Sequence, residues 1–87
     1  MKVKVVFTGR ASEMSGVFAM EVELPEGATL DELVKTVSEK LNPRIYKRYS
    51  QGHFVFVTFV NDRPVLSPDY RLRDGDRVTF MTPEMGG

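Results

Sequence analysis

The stretch VFAMEVELPEGATLDELVKTVSEKL (residues 17–41) changes its period in mid-course. Up to Leu24 it alternates, with Phe18, Met20, Val22 and Leu24 opposite Ala19, Glu21 and Glu23, the pattern of a half-buried strand. Pro25-Glu26-Gly27-Ala28 breaks that strand. Thr29-Leu30-Asp31-Glu32 then reads as a capping box, in which the Thr29 oxygen takes an orphan amide and Glu32 reaches back to the cap. Leu30, Leu33, Val34, Val37 and Leu41 follow at helical spacing, so one stripe of an amphipathic helix of about three turns faces a core. Asp31 and Glu32 sit at its positive end and Lys40 near its negative end, as the helix dipole favours. Asn42-Pro43 closes the helix, because the residue before proline avoids the helical region.

Upstream, Lys2 to Thr8 alternates with Val3, Val5 and Phe7 on one face and Lys2, Lys4 and Thr8 on the other. Paired with the next strand across a Gly9–Gly16 turn region, it sets Lys4 against Glu21, Lys2 against Glu23 and Phe7 against Phe18. Opposite charges across a ladder contribute roughly 0.2–1 kcal/mol each, so one register satisfies both faces. Downstream, Arg44 to Gly52 reads as a loop or a short irregular turn of helix, and Phe54 to Val60 as an apolar strand. Asn61-Asp62-Arg63-Pro64 turns the chain back into a short strand at Val65-Leu66. Asp74-Gly75-Asp76 makes a tight turn, and Val78 to Met81 forms a last strand. Strand, strand, helix, then three strands predicts an α+β domain of β-grasp, ubiquitin-like type over residues 1–81. It has a mixed sheet of four to five strands and one amphipathic helix packed on one face. Residues 82–87 are expected to form a flexible tail ending in Gly-Gly.

Length and composition bound the function. A chain of 87 residues is a single domain, and at this size folding buries only about 60% of the surface that the unfolded chain exposes. Hydrophobic residues make up 41% and charged residues 28%, the balance of a globular protein rather than a disordered one. Twelve cations balance twelve acids, which argues against a protein devoted to coating nucleic acid or anionic lipid. Without cysteine there are no disulfides, thiol nucleophiles or thiolate metal sites. The lone His53 has no second histidine to complete a metal site or catalytic dyad and reads as a partly exposed residue at the start of a strand. Asp69, Asp74 and Asp76 lack calcium-loop spacing, and the glycines stand singly at turns rather than in a phosphate-cradling loop. No metal and no cofactor is expected on this chain, and it does not read as an enzyme on its own. The alternating start Met1-Lys2-Val3-Lys4 has no signal-peptide pattern, so a cytoplasmic location is the expectation.

Two surfaces invite partners. In the apolar strand, Phe54, Phe56, Thr58 and Val60 share one face and Val55, Val57 and Phe59 the other, and only one row can meet the helix. The hydroxyl of Thr58 nominates its own row, with Phe56, as the outer one; Met81 and Val6 join it by parity with Phe80 and Phe7. The second surface is basic. Between Glu39 and Asp62 there is no acid, while Lys40, Arg44, Lys47, Arg48 and His53 are interleaved with Tyr46 and Tyr49. Arg44, Lys47 and Arg48 form a candidate secondary patch for RNA or for an acidic protein surface; the alternative is a solvated loop whose tyrosines cover the end of the core.

The last two residues, Gly86-Gly87, cost conformational entropy and pack nothing. Lacking side chains, they can thread a narrow channel, and six residues beyond Met81 reach about 20 Å when extended. With the motifs Leu24-Pro25-Glu26-Gly27-Ala28-Thr29-Leu30-Asp31-Glu32-Leu33, Val60-Asn61-Asp62-Arg63 and Leu72-Arg73-Asp74-Gly75-Asp76-Arg77-Val78, this ending resembles the MoaD/ThiS family of ubiquitin-like sulfur carriers, MoaD more closely. The resemblance covers nearly the whole chain. It implies that the Gly87 carboxylate is adenylated and converted to a thiocarboxylate, with Gly86 as the clearance residue. Molybdopterin biosynthesis is the implied destination. The implied partners are a MoeB-like adenylating enzyme holding ATP, magnesium and any zinc, a sulfur donor, and a MoaE-like large subunit of molybdopterin synthase. A related fate is conjugation to protein lysines as a ubiquitin-like modifier. Met81, Phe56 and Val6 of the outer row, with Pro83, Glu84 and Met85 of the tail, are the expected partner contacts. Family tails usually read Pro-Pro and then an aliphatic and a small residue, whereas this one reads Thr82-Pro83-Glu84-Met85. A partner groove must therefore offer Glu84 a cation or an open channel.

Overall fold

Strand β1 (Lys2–Thr8) pairs antiparallel with β2 (Ala19–Glu23), and Lys2 faces Glu23 while Lys4 faces Glu21. The computed structural model describes residues 1–50 and 57–81, apart from the side chains of Met14 and Arg48. Three further strands complete the sheet: β3 (Val57–Val60), β4 (Arg63–Pro64) and β5 (Arg77–Met81). Their spatial order is β2-β1-β5-β3-β4, with β1 and β5 parallel and every other pairing antiparallel. The first and last strands thus lie side by side at the centre of a mixed, ubiquitin-like β-grasp sheet. The expectations for His53, Phe54, Val55, Phe56 and the tail 82–87 lie outside the described residues.

Helix α2 (Leu30–Lys40) crosses one face of this sheet. Thr29 is extended, and its hydroxyl oxygen accepts the Glu32 amide at 3.2 Å. The Glu32 carboxylate returns to the Thr29 hydroxyl, at 3.4 Å, rather than to a backbone amide. Two more orphan amides of the first turn, those of Leu30 and Asp31, donate to the carbonyls of Tyr70 (2.9 Å) and Pro68 (3.0 Å). The segment before β5 therefore finishes the cap. Leu30, Leu33, Val34 and Val37 are buried against Val3, Val5 and Phe7 of β1, Val22 of β2, Val60 of β3, and Val78 and Phe80 of β5. Phe7 and Phe80 stack with ring centroids 5.6 Å apart, joining the two central strands inside the core.

The structure corrects several expectations. The Gly9–Gly16 turn contains a short helix, α1 (Arg10–Ser15), whose Ala11 is fully buried and whose C-cap, Gly16, has φ +81°. Its corner position alters the fate of Phe18. The Phe7 amide still donates to the Phe18 carbonyl at 2.8 Å, but the Phe18 side chain is 78% exposed. Phe80 and Ala11 fill the place beside Phe7 instead. Residues 44–50 form a helix, α3 (Arg44–Ser50), which packs on α2 and buries Ile45. The short strand expected at Val65-Leu66 is assigned two residues earlier, at Arg63–Pro64, although the Val65 amide still donates to the Thr58 carbonyl at 2.9 Å.

The remaining correction concerns the apolar strand. Thr58 pairs with Phe80 and Val60 with Val78, and residues directly opposite in an antiparallel ladder share a face. Thr58 and Val60 are accordingly buried, while Val57 and Phe59 lie on the half-exposed outer row. The parity of β5, fixed by Phe80 against Phe7, overrides the polarity of one threonine hydroxyl.

Candidate functional site

The last strand, β5, lies at the centre of the sheet and hands the chain on to the tail. Strand β5 ends at Met81, which stands between Thr8 of β1 and Val57 of β3. On the face turned away from α2, these three residues form the row nearest the exit. The next row is Ala19, Val6, Thr79, Phe59 and Pro64, one from each strand in spatial order. Val6, Val57, Phe59 and Thr79 are half-buried and Met81 is 39% exposed. Leu66, just past β4, is 91% exposed. Further from the exit the outer face becomes ionic, through a row of Glu21, Lys4 and Arg77, with Arg77 paired to Asp62. The outer face is therefore divided: apolar beside the end of β5, charged at the far end. Of the residues singled out for partner contact, Val6 and Met81 lie on this apolar half. Phe56, Pro83, Glu84 and Met85 lie outside the described residues, as do Gly86 and Gly87. Val57 and Phe59 join the patch through the parity of β5, a signal already carried by Val78 and Phe80 in the sequence.

What holds the far end is a polar junction of two turns. Asn61 and Asp62 both have positive φ, 49° and 68°, the conformation of the tight hairpin turn between β3 and β4. The Asn61 side-chain amide donates to one oxygen of Asp76 at 2.8 Å, and the Arg73 amide donates to the other at 2.8 Å. The Arg77 amide donates to the Asn61 side-chain oxygen at 2.9 Å. Asp76 is 8% exposed, a depth at which a carboxylate needs such donors. Gly75, at φ +84°, gives its amide to the Lys2 carbonyl at 2.8 Å, which ties the same turn to β1. Val60–Arg63 and Leu72–Val78 thus serve one structural purpose: they pin β3, β5 and β1 together and fix where Met81 ends.

The basic segment takes a different form. Arg44 and Lys47 are exposed on α3, and Lys40 is exposed at the end of α2. The tyrosines between them are occupied. The Tyr46 hydroxyl donates to Asp31 at 3.1 Å, and the Lys35 ammonium lies 5.3 Å from the Tyr46 ring centroid. Lys35 also bridges to Asp31 at 3.3 Å, and that hydrogen-bonded carboxylate raises its pKa above the ordinary lysine value. Tyr49 packs against the core beside Tyr46, their rings 6.4 Å apart. Burial pushes its hydroxyl up to about 12, and the charges of Asp31, Tyr46 and Asp69 add to the effect. The two rings close the end of the core rather than standing free to stack on bases. Among the described residues no cluster of acidic or histidine side chains could hold a metal ion, and no helix is long and apolar enough to cross a membrane.

Comparison with known proteins bears on the fold and the family. A molybdopterin converting factor subunit 1, so assigned in Pyrococcus furiosus, is similar at 31% identity and a TM-score of 0.73, over 95% of this chain and 98% of that one. SAMP1 of Haloferax volcanii is similar in fold, with a TM-score of 0.85 at 15% identity over 100% of both chains. A chain in the complex of molybdopterin-converting factor subunits 1 and 2 of Helicobacter pylori matches with a TM-score of 0.65 at 21% identity, again over 100% of both. No curated protein sequence matches significantly. The model of the ThiS family matches residues 5–87, from the first buried strand to the terminal diglycine. A diglycine-ended β-grasp domain matched over that length belongs to the ThiS family of sulfur carriers and ubiquitin-like modifiers.

Proposed function

We propose that the chain is a sulfur carrier for molybdopterin biosynthesis and that the Gly87 carboxylate is its reactive group. The observation that carries this reading is the 31% identity, over 95% of the chain, to a protein assigned as molybdopterin converting factor subunit 1. A carboxylate is a poor electrophile and needs a leaving group. In an adenylating partner, a Gly87 oxygen attacks the α-phosphate of ATP, pyrophosphate departs, and the acyl-adenylate forms. Hydrosulfide released by a donor then attacks the acyl carbon, the carbon–oxygen bond to AMP breaks, AMP departs as the leaving group, and the thiocarboxylate remains. ATP and magnesium belong to that partner. This chain supplies the slender end through Gly86 and Gly87, the reach through residues 82–85, and a docking surface through the apolar half of the outer face. By analogy with the two-subunit Helicobacter pylori complex, a larger synthase subunit is the acceptor that receives the sulfur.

The test is direct. Incubating the protein with its cognate adenylating enzyme, ATP and a sulfur donor should exchange one oxygen for one sulfur on the C-terminal peptide, read by mass spectrometry. Deleting Gly87 should leave thermal stability unchanged and abolish activation. Activation that survives the deletion refutes the carboxylate as the reactive group. Lysine-linked adducts without sulfur loading would assign the modifier chemistry that the same activated glycine permits.

A further inference from the structure

Residues 40–61 carry four of the twelve cations and none of the twelve acids, leaving eight cations against twelve acids in the rest of a neutral chain. The charge is therefore separated, not absent. Three of these cations, Lys40, Arg44 and Lys47, are exposed on the last residue of α2 and along α3. Arg44 and Lys47 are three residues apart, so they share a face of α3. None of the three makes an ion pair with any described residue, whereas Lys35 is held by Asp31 and Arg77 by Asp62. A groove of about 240 Å³, lined by Lys35, Ser38, Glu39, Pro43 and Tyr46, runs between α2 and α3 beside them. The ridge is built firmly. The buried Ser38 hydroxyl donates to the Asn42 carbonyl at 2.9 Å and accepts the Tyr46 amide at 3.2 Å, and the Asn42 side chain accepts the Arg44 amide at 3.0 Å.

We propose that Lys40, Arg44 and Lys47 form a docking ridge for an acidic protein surface, which steers the carrier onto the enzyme that activates it. The role in activation rests on the carrier reading. The ridge lies on the helical side, opposite the apolar outer face, so both surfaces can be engaged independently. An acidic protein fits better than a nucleic acid for two reasons. The rings that would stack on bases, Tyr46 and Tyr49, are committed to Asp31, Lys35 and the core. The remainder of the chain also carries a surplus of acids, which repels an extended polyanion but tolerates a compact acidic patch over one ridge.

Initial rates of pyrophosphate release by the cognate adenylating enzyme, measured against carrier concentration, provide one arm. The double substitution Arg44→Glu with Lys47→Glu should lower kcat/KM about tenfold at ~0.05 M salt, through KM alone. The gap should shrink to about twofold near ~0.3 M salt. The neutral pair Arg44→Gln with Lys47→Gln should fall between, and all variants should keep the wild-type melting profile. An unchanged kcat/KM, or a loss insensitive to salt, overturns the ridge while leaving the carrier reading intact. The second arm needs no enzyme, and so decides the ridge even if activation is never seen. A short acidic peptide, tetra-L-glutamate, added to the full chain should shift the amide resonances of Arg44–Ser50 in the wild type and not in the double variant. Absence of those shifts overturns the proposal. Tighter binding of oligouridine, with movement of the Tyr46 and Tyr49 ring signals, overturns it in favour of a nucleic-acid surface.

Discussion

On the outer face of the sheet the described charges are matched and apolar side chains line the surface; on the helical side the distribution is inverted. Lys2 and Lys4 stand opposite Glu23 and Glu21, and Arg77 is paired with Asp62, while Val6, Val57 and Phe59, half-buried, and the exposed Met81 lie on the side turned away from α2. Around α3, Tyr46 and Tyr49 are folded onto the core, and Lys40, Arg44 and Lys47 form no ion pair among the described residues. One small domain thus offers two kinds of recognition. Apolar contact gives affinity once surfaces meet, whereas unpaired charge acts at a distance and sets how often they meet. Placing them on opposite sides keeps each from weakening the other.

The comparison can be broken hardest through the layer both sides share. Phe80→Ala removes the ring that stacks on Phe7 and should cost about 3–5 kcal/mol, lowering the melting temperature by more than about 15 °C and weakening both surfaces together. A stability loss below about 1 kcal/mol would mean that the stacked pair does not join the central strands. Phe59→Asp tests the outer face alone. It should change stability by no more than about 1 kcal/mol, yet weaken binding to the proposed acceptor subunit about 100-fold, measured by calorimetry. Equal loss of stability and binding would show that Phe59 is a packing residue instead. The smallest effect belongs to Tyr49. Its hydroxyl titrates at about 12 in the folded chain against about 10 in the unfolded one. The raised value means that the unfolded state sheds its proton first. The stability contribution is therefore complete below pH 10 and lost as pH rises from 10 to 12. Tyr49→Phe should flatten the fall of melting temperature across that window; an unchanged slope would place the ring in solvent and undo the contrast with the outer face.

Much of this architecture is legible wherever two local signals agree. Lys2 and Lys4 select one hairpin register by charge, and Val3 and Val5 select the same one by hydrophobic parity, so the pairing admits no slip. Thr29 and Glu32 mark the start of α2 at the residue where its apolar stripe begins. The reading fails where an element is too short to repeat its pattern. The six residues of α1 make fewer than two turns, too few to display a helical stripe, and Ala11 becomes a core residue through the packing of α1 on β1 and on the distant β5. Thr58 misleads for a related reason. A single hydroxyl says less about facing than the ladder does, and the ladder is set by Phe80, which is 22 positions away in sequence. The outer patch therefore becomes readable only after β5 has been placed. The tyrosines of α3 follow the same logic, because their partner Asp31 is supplied by α2.

The parallel contact of β1 with β5 has a mechanical consequence. Lys4 to Thr8 run beside Arg77 to Met81 in the same direction, so the chain before β1 and the chain beyond β5 leave the sheet at opposite ends. Tension between Met1 and a tethered tail then acts along both strands in opposite senses. Such a load slides the pair in shear and is shared by all the hydrogen bonds between them at once, where a peeling load would open them singly. The Phe7–Phe80 stack, lying across that same seam, adds friction to the sliding. A carrier held by its tail in one enzyme while another pulls on its body would transmit force through its strongest seam rather than unravel from an edge.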